Sequence, residues 1–214
     1  MFGEPFSRLC EILDNTKAAA IAVSGGIDSM VLAFVAIQYS SCEVKVFHAV
    51  SPAVPEESTE RVNKYARVYN WELQLVNAGE FTDKRYVKNP LNRCFYCKTN
   101  LYQVIKEHAN AVVFSGANLT DLGDFRPGLD AAKKFDVRHP FIEAEITKTD
   151  IRKMAKNLSL NDLARLPAQP CLASRVVTGI PIDEKILNQI YKVEKQVSSL
   201  FDLTDIRCRW DKNS

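Results

Sequence analysis

The sequence predicts an α/β fold, a parallel sheet with helices on both faces. Three observations predict it. The run AAAIAVS (18–24) is apolar throughout, the mark of a strand buried on both sides. Segments of helical period alternate with such runs along the chain, the order of βαβ units. The first run ends in glycines and passes directly into a helical stretch. In sheets of this kind the ligand crevice lies at the carboxyl ends of the strands.

The elements follow in order. Residues 4–15 read as a short amphipathic helix with Phe6, Leu9, Ile12 and Leu13 on one face. The strand at 18–24 leads to a helix over 28–39, a second strand at 43–50, and a helix over 55–70. Pro55 sits in the first turn of that helix, with glutamates after it. WELQLVN (71–77) is a third strand, 97–108 a helix, and AVVFSGAN (111–118) a fourth strand. A glycine-rich loop follows, then a short fifth strand at 137–143 and a helix over 147–158 opened by threonine and aspartate. The stretch 163–183 holds three prolines and a glycine and reads as a long functional loop. A last helix spans 183–200. The expected division is 1–166 for the main domain and 167–214 for a loop and a smaller carboxyl-terminal part.

Composition narrows the function classes. The 214 residues suffice for one domain with a core, or a domain with an appendage. A net charge of +2 makes no electrostatic case for nucleic acid. No apolar run approaches the roughly 18–20 residues of a membrane span. The start, MFGEPFSRLCEILD, has no secretory pattern, so the cytoplasm is expected. In that compartment spaced cysteines lean towards metal or catalysis rather than disulfides. There are six: Cys10, Cys42, Cys94, Cys97, Cys171 and Cys208.

The hexapeptide Ser24-Gly25-Gly26-Ile27-Asp28-Ser29 sits between the first strand and a helix. Glycines let the backbone approach a phosphate, and the helix start offers unpaired amides and a positive dipole end. Ser24 and Ser29 add hydroxyls. Asp28 beside a phosphate suggests a magnesium ion between them. A plain tight turn with Asp28 as a helix cap is the bland alternative. The hexapeptide resembles the signature of the PP-loop (N-type) ATP pyrophosphatases, and is neither a Walker loop nor a dinucleotide fingerprint. The resemblance implies a Rossmann-like sheet of the HUP (adenine nucleotide alpha hydrolase) type. It also implies cleavage of ATP between the α and β phosphates, and adenine held where the second strand ends, at Ala49 and Val50.

Four further stretches, RCFYCK (93–98), SGANLTDLGDFRPGL (115–129), HPFIEAEITKTDIR (139–152) and PCLASR (170–175), resemble one branch of that group. It is the LarE family of ATP-dependent sulfur transferases, which build the nickel-pincer cofactor of lactate racemase. The likeness covers about residues 7–209. It implies that ATP adenylates a carboxylate of pyridinium-3,5-dicarboxylate mononucleotide and that sulfur then displaces AMP, leaving a thiocarboxylate. The family's sulfur donor lies in PCLASR, here Cys171. A thiolate must attack the acyl-adenylate, so the site should favour ionisation, with Arg175 as a helper.

Cys94 and Cys97 have several readings. A thioredoxin-like redox pair normally opens a helix directly after a strand, and the flanks do not match. No second CxxC or histidine pair completes a zinc site. With Cys171 they make three thiolates, enough for three irons of a 4Fe–4S cluster with one iron left open, although such clusters more often have four cysteines. Some family members deliver an external sulfide in this way; others give up the sulfur of the PCLASR cysteine itself. A three-cysteine cluster, a sacrificial Cys171, and inert thiols therefore all stand. Cys10, Cys42 and Cys208, like Trp71 and Trp210, read as packing residues.

In the GANLTD loop, Gly116 and Asn118 are expected near the nucleotide. Asp121 and Asp124 either bind magnesium or cap a helix, and Arg126 meets a phosphate or braces the loop. Arg207 and Arg209 alternate on IRCRW, so a strand there would put both on one face. That suits a phosphate dianion, and the resemblance implies contact with the substrate phosphomonoester. Family members usually continue past this point, whereas this chain stops at WDKNS, so the carboxyl-terminal part is either truncated or diverged. The resemblance also implies a homo-oligomer. The rival functions are a PP-loop tRNA thiolase, an amidotransferase-type synthetase, and a non-catalytic ATP- or AMP-binding remnant.

Overall fold

The structure is a computed structural model that describes residues 3–123, 125–203 and 205–211. Four parallel strands, β1 (Ala18–Val23), β2 (Glu43–Ala49), β3 (Glu72–Val76) and β4 (Val112–Ser115), form one sheet in the order β3-β2-β1-β4. β1 is central and buried along nearly its whole length. Its alanines alternate between faces and leave room for helices to pack close on both. The register pairs Val23 with His48, Ala49 with Val76, and Ala22 with Ser115. All four carboxyl ends therefore finish at one edge.

The helices are α1 (Glu4–Asp14), α2 (Ile27–Tyr39), α3 (Glu56–Val68), α4 (Lys84–Val87), α5 (Arg93–His108), α6 (Pro127–Lys134), α7 (Pro140–Glu143), α8 (Lys148–Asn157), α9 (Asn161–Ala164) and α10 (Glu184–Phe201). Ala19, Ile21 and Val23 of β1 face a cluster built with α1, α2, α8 and α9. Ala20 and Ala22 face Leu101, Tyr102 and Ile105 of α5 and Ala131 and Ala132 of α6. Leu172, Val176, Ile182, Leu187 and Ile190 make a third cluster with Ala53 and Tyr86, and Trp210 and Cys208 pack against it. Cys42 is buried, Cys10 packs on the first cluster, and Trp71 packs tilted against Tyr65 in the core. Among the described residues, no helix is long and apolar enough to cross a membrane.

Three expectations need correction. The stretch 137–143 is no strand: it makes a single bridge, Arg138 to Phe114, and then turns into α7. Pro140 has no amide to give a ladder, and its fixed φ suits the first turn of a helix. The helix expected from 97 starts at Arg93, so Cys94 and Cys97 occupy its first turn on one face. CFYC thus does open a helix, although the short α4 and a turn precede it instead of a strand. The segment 205–210 is extended but joins the rest by one bridge, Trp210 to Val176, so IRCRW is no strand. The glycine-rich loop also hides α6, which Pro127 starts. Asp124 lies outside the described residues.

Candidate active site

The first half of the site is the turn after β1. Gly25 has φ +80°, and a Cβ there would sit 2.7 Å from the Ser58 carbonyl oxygen, so only glycine lets α3 close on the turn. The Ser29 hydroxyl accepts from the Ser24 amide at 3.1 Å and donates to the Gly26 carbonyl at 3.2 Å. The Gly26 amide donates to the Ser24 hydroxyl at 3.3 Å. The first amides of α2 remain for an anion. Gly116 closes the other side: a Cβ there would meet the Ser29 amide nitrogen at 2.6 Å. His48, buried beneath, donates from Nδ1 to the Val23 carbonyl and accepts from Thr59 at Nε2, both at 2.9 Å. Arg61 of α3 donates to the Gly25 carbonyl at 2.7 Å.

Asp28 is held by Lys148, whose Nζ lies 2.7 Å and 2.5 Å from its two oxygens. Burial raises the Asp28 pKa, with Lys148 opposing and the charge of Asp121 adding to the rise. Lys148 stands at the first position of α8, where the helix dipole disfavours a cation, and Thr147 with Asp150 supplies the capping box. Asp121 mainly organises its own loop: it accepts from the Asn118 amide at 3.0 Å and pairs with Arg126 at 2.7 Å. Asn118, 2% exposed, accepts from the Thr120 amide. Ser24, Asp28, Ser29, Gly116, Asp121 and Cys94 line one cavity of about 340 Å³. Its hard carboxylates are of the donor type that suits magnesium, and Lys148 already neutralises Asp28.

The second half is a cavity of about 200 Å³ lined by Ser24, His48, Ala49, Glu80, Tyr86, Arg93, Lys98 and the thiols of Cys94, Cys97 and Cys171. The distant Cys171 meets the neighbouring pair Cys94 and Cys97 here. Burial pushes the Cys97 thiol up to about 12, with Lys98 acting against the rise. Cys171 is exposed by area, yet the protein crowded around its thiol raises its pKa too. The Cys94 charge adds to that rise, and Arg93, the Ser174 amide and Arg175 oppose it. The surroundings of Cys171 thus favour its thiol, against the ionisation expected from the sequence. Burial lowers the Lys98 pKa, but nearby Tyr102 and the three thiols outweigh it and the net shift is upward.

Arg175 has a structural task beside the expected one. It is 7% exposed, and its Nε and Nη2 bind Glu194 of α10 at 3.0 Å and 3.1 Å. Its Nη1 donates to the Pro170 carbonyl at 2.6 Å. The guanidinium thus fixes the loop that carries Cys171, as does the bond from the Leu172 amide to the Ala53 carbonyl. Arg207 and Arg209 are both exposed and line neither cavity described above. The sequence reading missed Lys98, Lys148, Glu80 and Arg93. Lys98 directly follows Cys97, and a lysine at a helix start was a legible oddity; Glu80 and Arg93 carried no local signal.

Among the described residues, no three His, Cys, Asp or Glu side chains gather closely enough to hold one metal ion. In a cluster each iron takes its own thiolate, so three thiols spread around one cavity still provide a fitting donor set.

No family model matches the chain. It is 32% identical over 217 residues to the uncharacterized protein slr1717 of Synechocystis sp., covering 100% of this chain and 80% of that protein. It is 31% identical over 185 residues to the uncharacterized protein MJ0830 of Methanocaldococcus jannaschii, covering 85% of this chain and 69% of that one. A more distant relative, 26% identical over 199 residues and covering 91% and 72%, is the pyridinium-3,5-bisthiocarboxylic acid mononucleotide synthase of Lactiplantibacillus plantarum.

Proposed function

The chain belongs to the family of slr1717 and MJ0830, and from that premise we propose that it is an ATP-dependent sulfur transferase acting on a pyridinium dicarboxylate mononucleotide. One observation carries the reading. Ser24 of the phosphate loop and Cys171, 147 positions apart, line the same cavity. A distant relative with the matching printed activity supports it.

The steps follow from the chain's own residues. ATP places its phosphates on the loop 24–29 and the start of α2, with magnesium between the phosphates and Asp28. The adenosine takes the cavity of about 610 Å³ at the end of β2, lined by Val50, Ser51, Asn188 and Tyr191. A substrate carboxylate oxygen attacks the α phosphorus, and pyrophosphate leaves. Lys148 and the α2 amides stabilise the charge that develops. Sulfur then attacks the acyl carbon, and AMP leaves with the carboxylate oxygen. Arg93 and Lys98 flank that sulfur with positive charge. Bound to Cys94, Cys97 and Cys171, a 4Fe–4S cluster would carry the transferable sulfide; without it, Cys171 Sγ forms a thioester as AMP leaves, and loss of the Cys171 Cα proton with cleavage of its Cβ–Sγ bond releases the thiocarboxylate and leaves dehydroalanine. The small-molecule reading, rather than tRNA, rests on the enclosed cavity and the net charge of +2.

ATP–pyrophosphate exchange tests the proposal. Exchange should require the pyridinium dicarboxylate mononucleotide; nucleotide binding without any exchange would overturn it. Iron and labile sulfide on protein purified without oxygen then separate the two sulfur sources.

A further inference from the structure

Buried polar atoms in folded proteins nearly always have partners, so those that lack them mark where a ligand belongs. Six buried side-chain atoms among the described residues make no hydrogen bond: Arg8 Nε, Trp71 Nε1, Glu80 Oε2, Asn89 Oδ1, Arg93 Nε and Thr99 Oγ1. Of these residues, Glu80 and Arg93 line the thiol cavity and the other four do not. Glu80 is 3% exposed, a depth at which a carboxylate is rarely left unmatched. It is held there by the tight turn at Gly79 (φ +71°), which starts the 3-10 helix Glu80–Thr82.

The rest of the cavity sets the size and polarity of the ligand. Val23, Val54, Ala78, Leu101 and the 2%-exposed Tyr86 are its apolar walls. A volume of about 200 Å³ suits one six-membered ring with a substituent, since about 150 Å³ holds benzene in a cavity of another protein. An acceptor of negative charge and a donor of positive charge stand unmatched in one small apolar space.

We propose that Glu80 and Arg93 form a charge-reading pair for a zwitterionic aromatic ring, Glu80 facing the ring's positive nitrogen and Arg93 the ring's carboxylate. This rests on the function proposed above, in the form with Cys171 itself as the sulfur donor because the cavity is too small for ring and cluster together, and names the residues that select its substrate. A neutral aromatic acid would leave Glu80 unmatched, and a cationic ring without a carboxylate would leave Arg93 unmatched. Either mismatch costs affinity, because the desolvated partner stays unpaired.

The test is a titration of the full chain, without ATP, followed by ligand-observed NMR. The probes are N-methylpyridinium-3-carboxylate, benzoate and N-methylpyridinium-3-carboxamide. The zwitterion should bind about 10–100-fold tighter than either single-charge probe, the range for hydrogen bonds to charged groups. Glu80→Gln should erase the preference over benzoate and leave benzoate affinity unchanged. Equal binding of all three probes by the unaltered chain, or no binding of any, overturns the proposal, and neither result depends on a variant folding. So does a Glu80→Gln chain that unfolds at the unaltered temperature and keeps the preference. Preference without ATP–pyrophosphate exchange would leave the pair standing and remove the proposed reaction.

Discussion

The two halves of the site differ in how completely their polar groups are satisfied. Around the phosphate loop nearly every polar group already has a partner. Ser24, Gly26 and Ser29 bind one another, Lys148 clasps Asp28, Asn118 and Asp121 tie their own loop, and Arg61 caps the Gly25 carbonyl. Around the thiols the opposite holds: Glu80 and Arg93 each keep a buried atom without a partner, and burial raises the pKa of Cys97 and of Cys171. The difference is one of timing. The first half is organised before any ligand arrives, which is what a charge-stabilising site needs. The second half is completed only by what binds in it.

The largest test of this contrast is Cys171→Ser. It should reduce thiocarboxylate formation to background while leaving ATP–pyrophosphate exchange intact, as mass spectrometry and exchange assays would show. Loss of both together would erase the division between the halves. Gly25→Ala comes next. The residue would stand at a positive φ with its Cβ against Ser58 backbone, a strain of about 1–3 kcal/mol before the clash. Denaturant unfolding and nucleotide titration should both show the loss.

Lys148→Met should be milder. It leaves the Asp28 carboxylate part-buried and unpaired; with both side chains about a third exposed, a loss of about 1–2 kcal/mol is expected, below the full cost of breaking a buried pair. Added magnesium should recover part of it, in a thermal melt with and without the ion. The smallest effect is that of pH. Burial lowers the pKa of His48 and of His139, so both take up protons on unfolding once the pH falls below their ordinary value near 6.5. The unfolded state then binds more protons, and stability falls as pH drops through that window. His48→Gln should flatten the fall between pH 7.5 and 5.5 in urea titrations.

The same contrast decides how much was legible in the sequence. The turn after β1 is local: six consecutive residues carry its turn, hydroxyls and helix start, so its geometry could be read from SGGIDS. The parallel sheet was equally visible, because β1 is a short apolar run and β2 a short stretch rich in valine and phenylalanine, each between helices. The thiol cavity depends on tertiary contact. Cys94 and Cys97 were visible as a pair and Cys171 as a candidate, but Glu80 sits in an unremarkable AGEFT segment and reaches the site only through the turn at Gly79. Arg175 was read from its place four residues after Cys171, but its ion pair with Glu194 on α10 carried no local signal. The stretch 137–143 looked like a strand by its apolar content until Pro140 is considered as a helix start.

One measurement reaches the centre of the account: transfer of oxygen from substrate to nucleotide. Pyridinium-3,5-dicarboxylate mononucleotide labelled with ¹⁸O in its carboxylates would be turned over with ATP and a sulfide source, and the AMP examined by mass spectrometry. If the phosphate loop adenylates the carboxylate and sulfur displaces AMP in the thiol cavity, each AMP carries one ¹⁸O. Thiocarboxylate formed alongside unlabelled AMP would contradict the acyl-adenylate and, with it, the division of labour between the two halves.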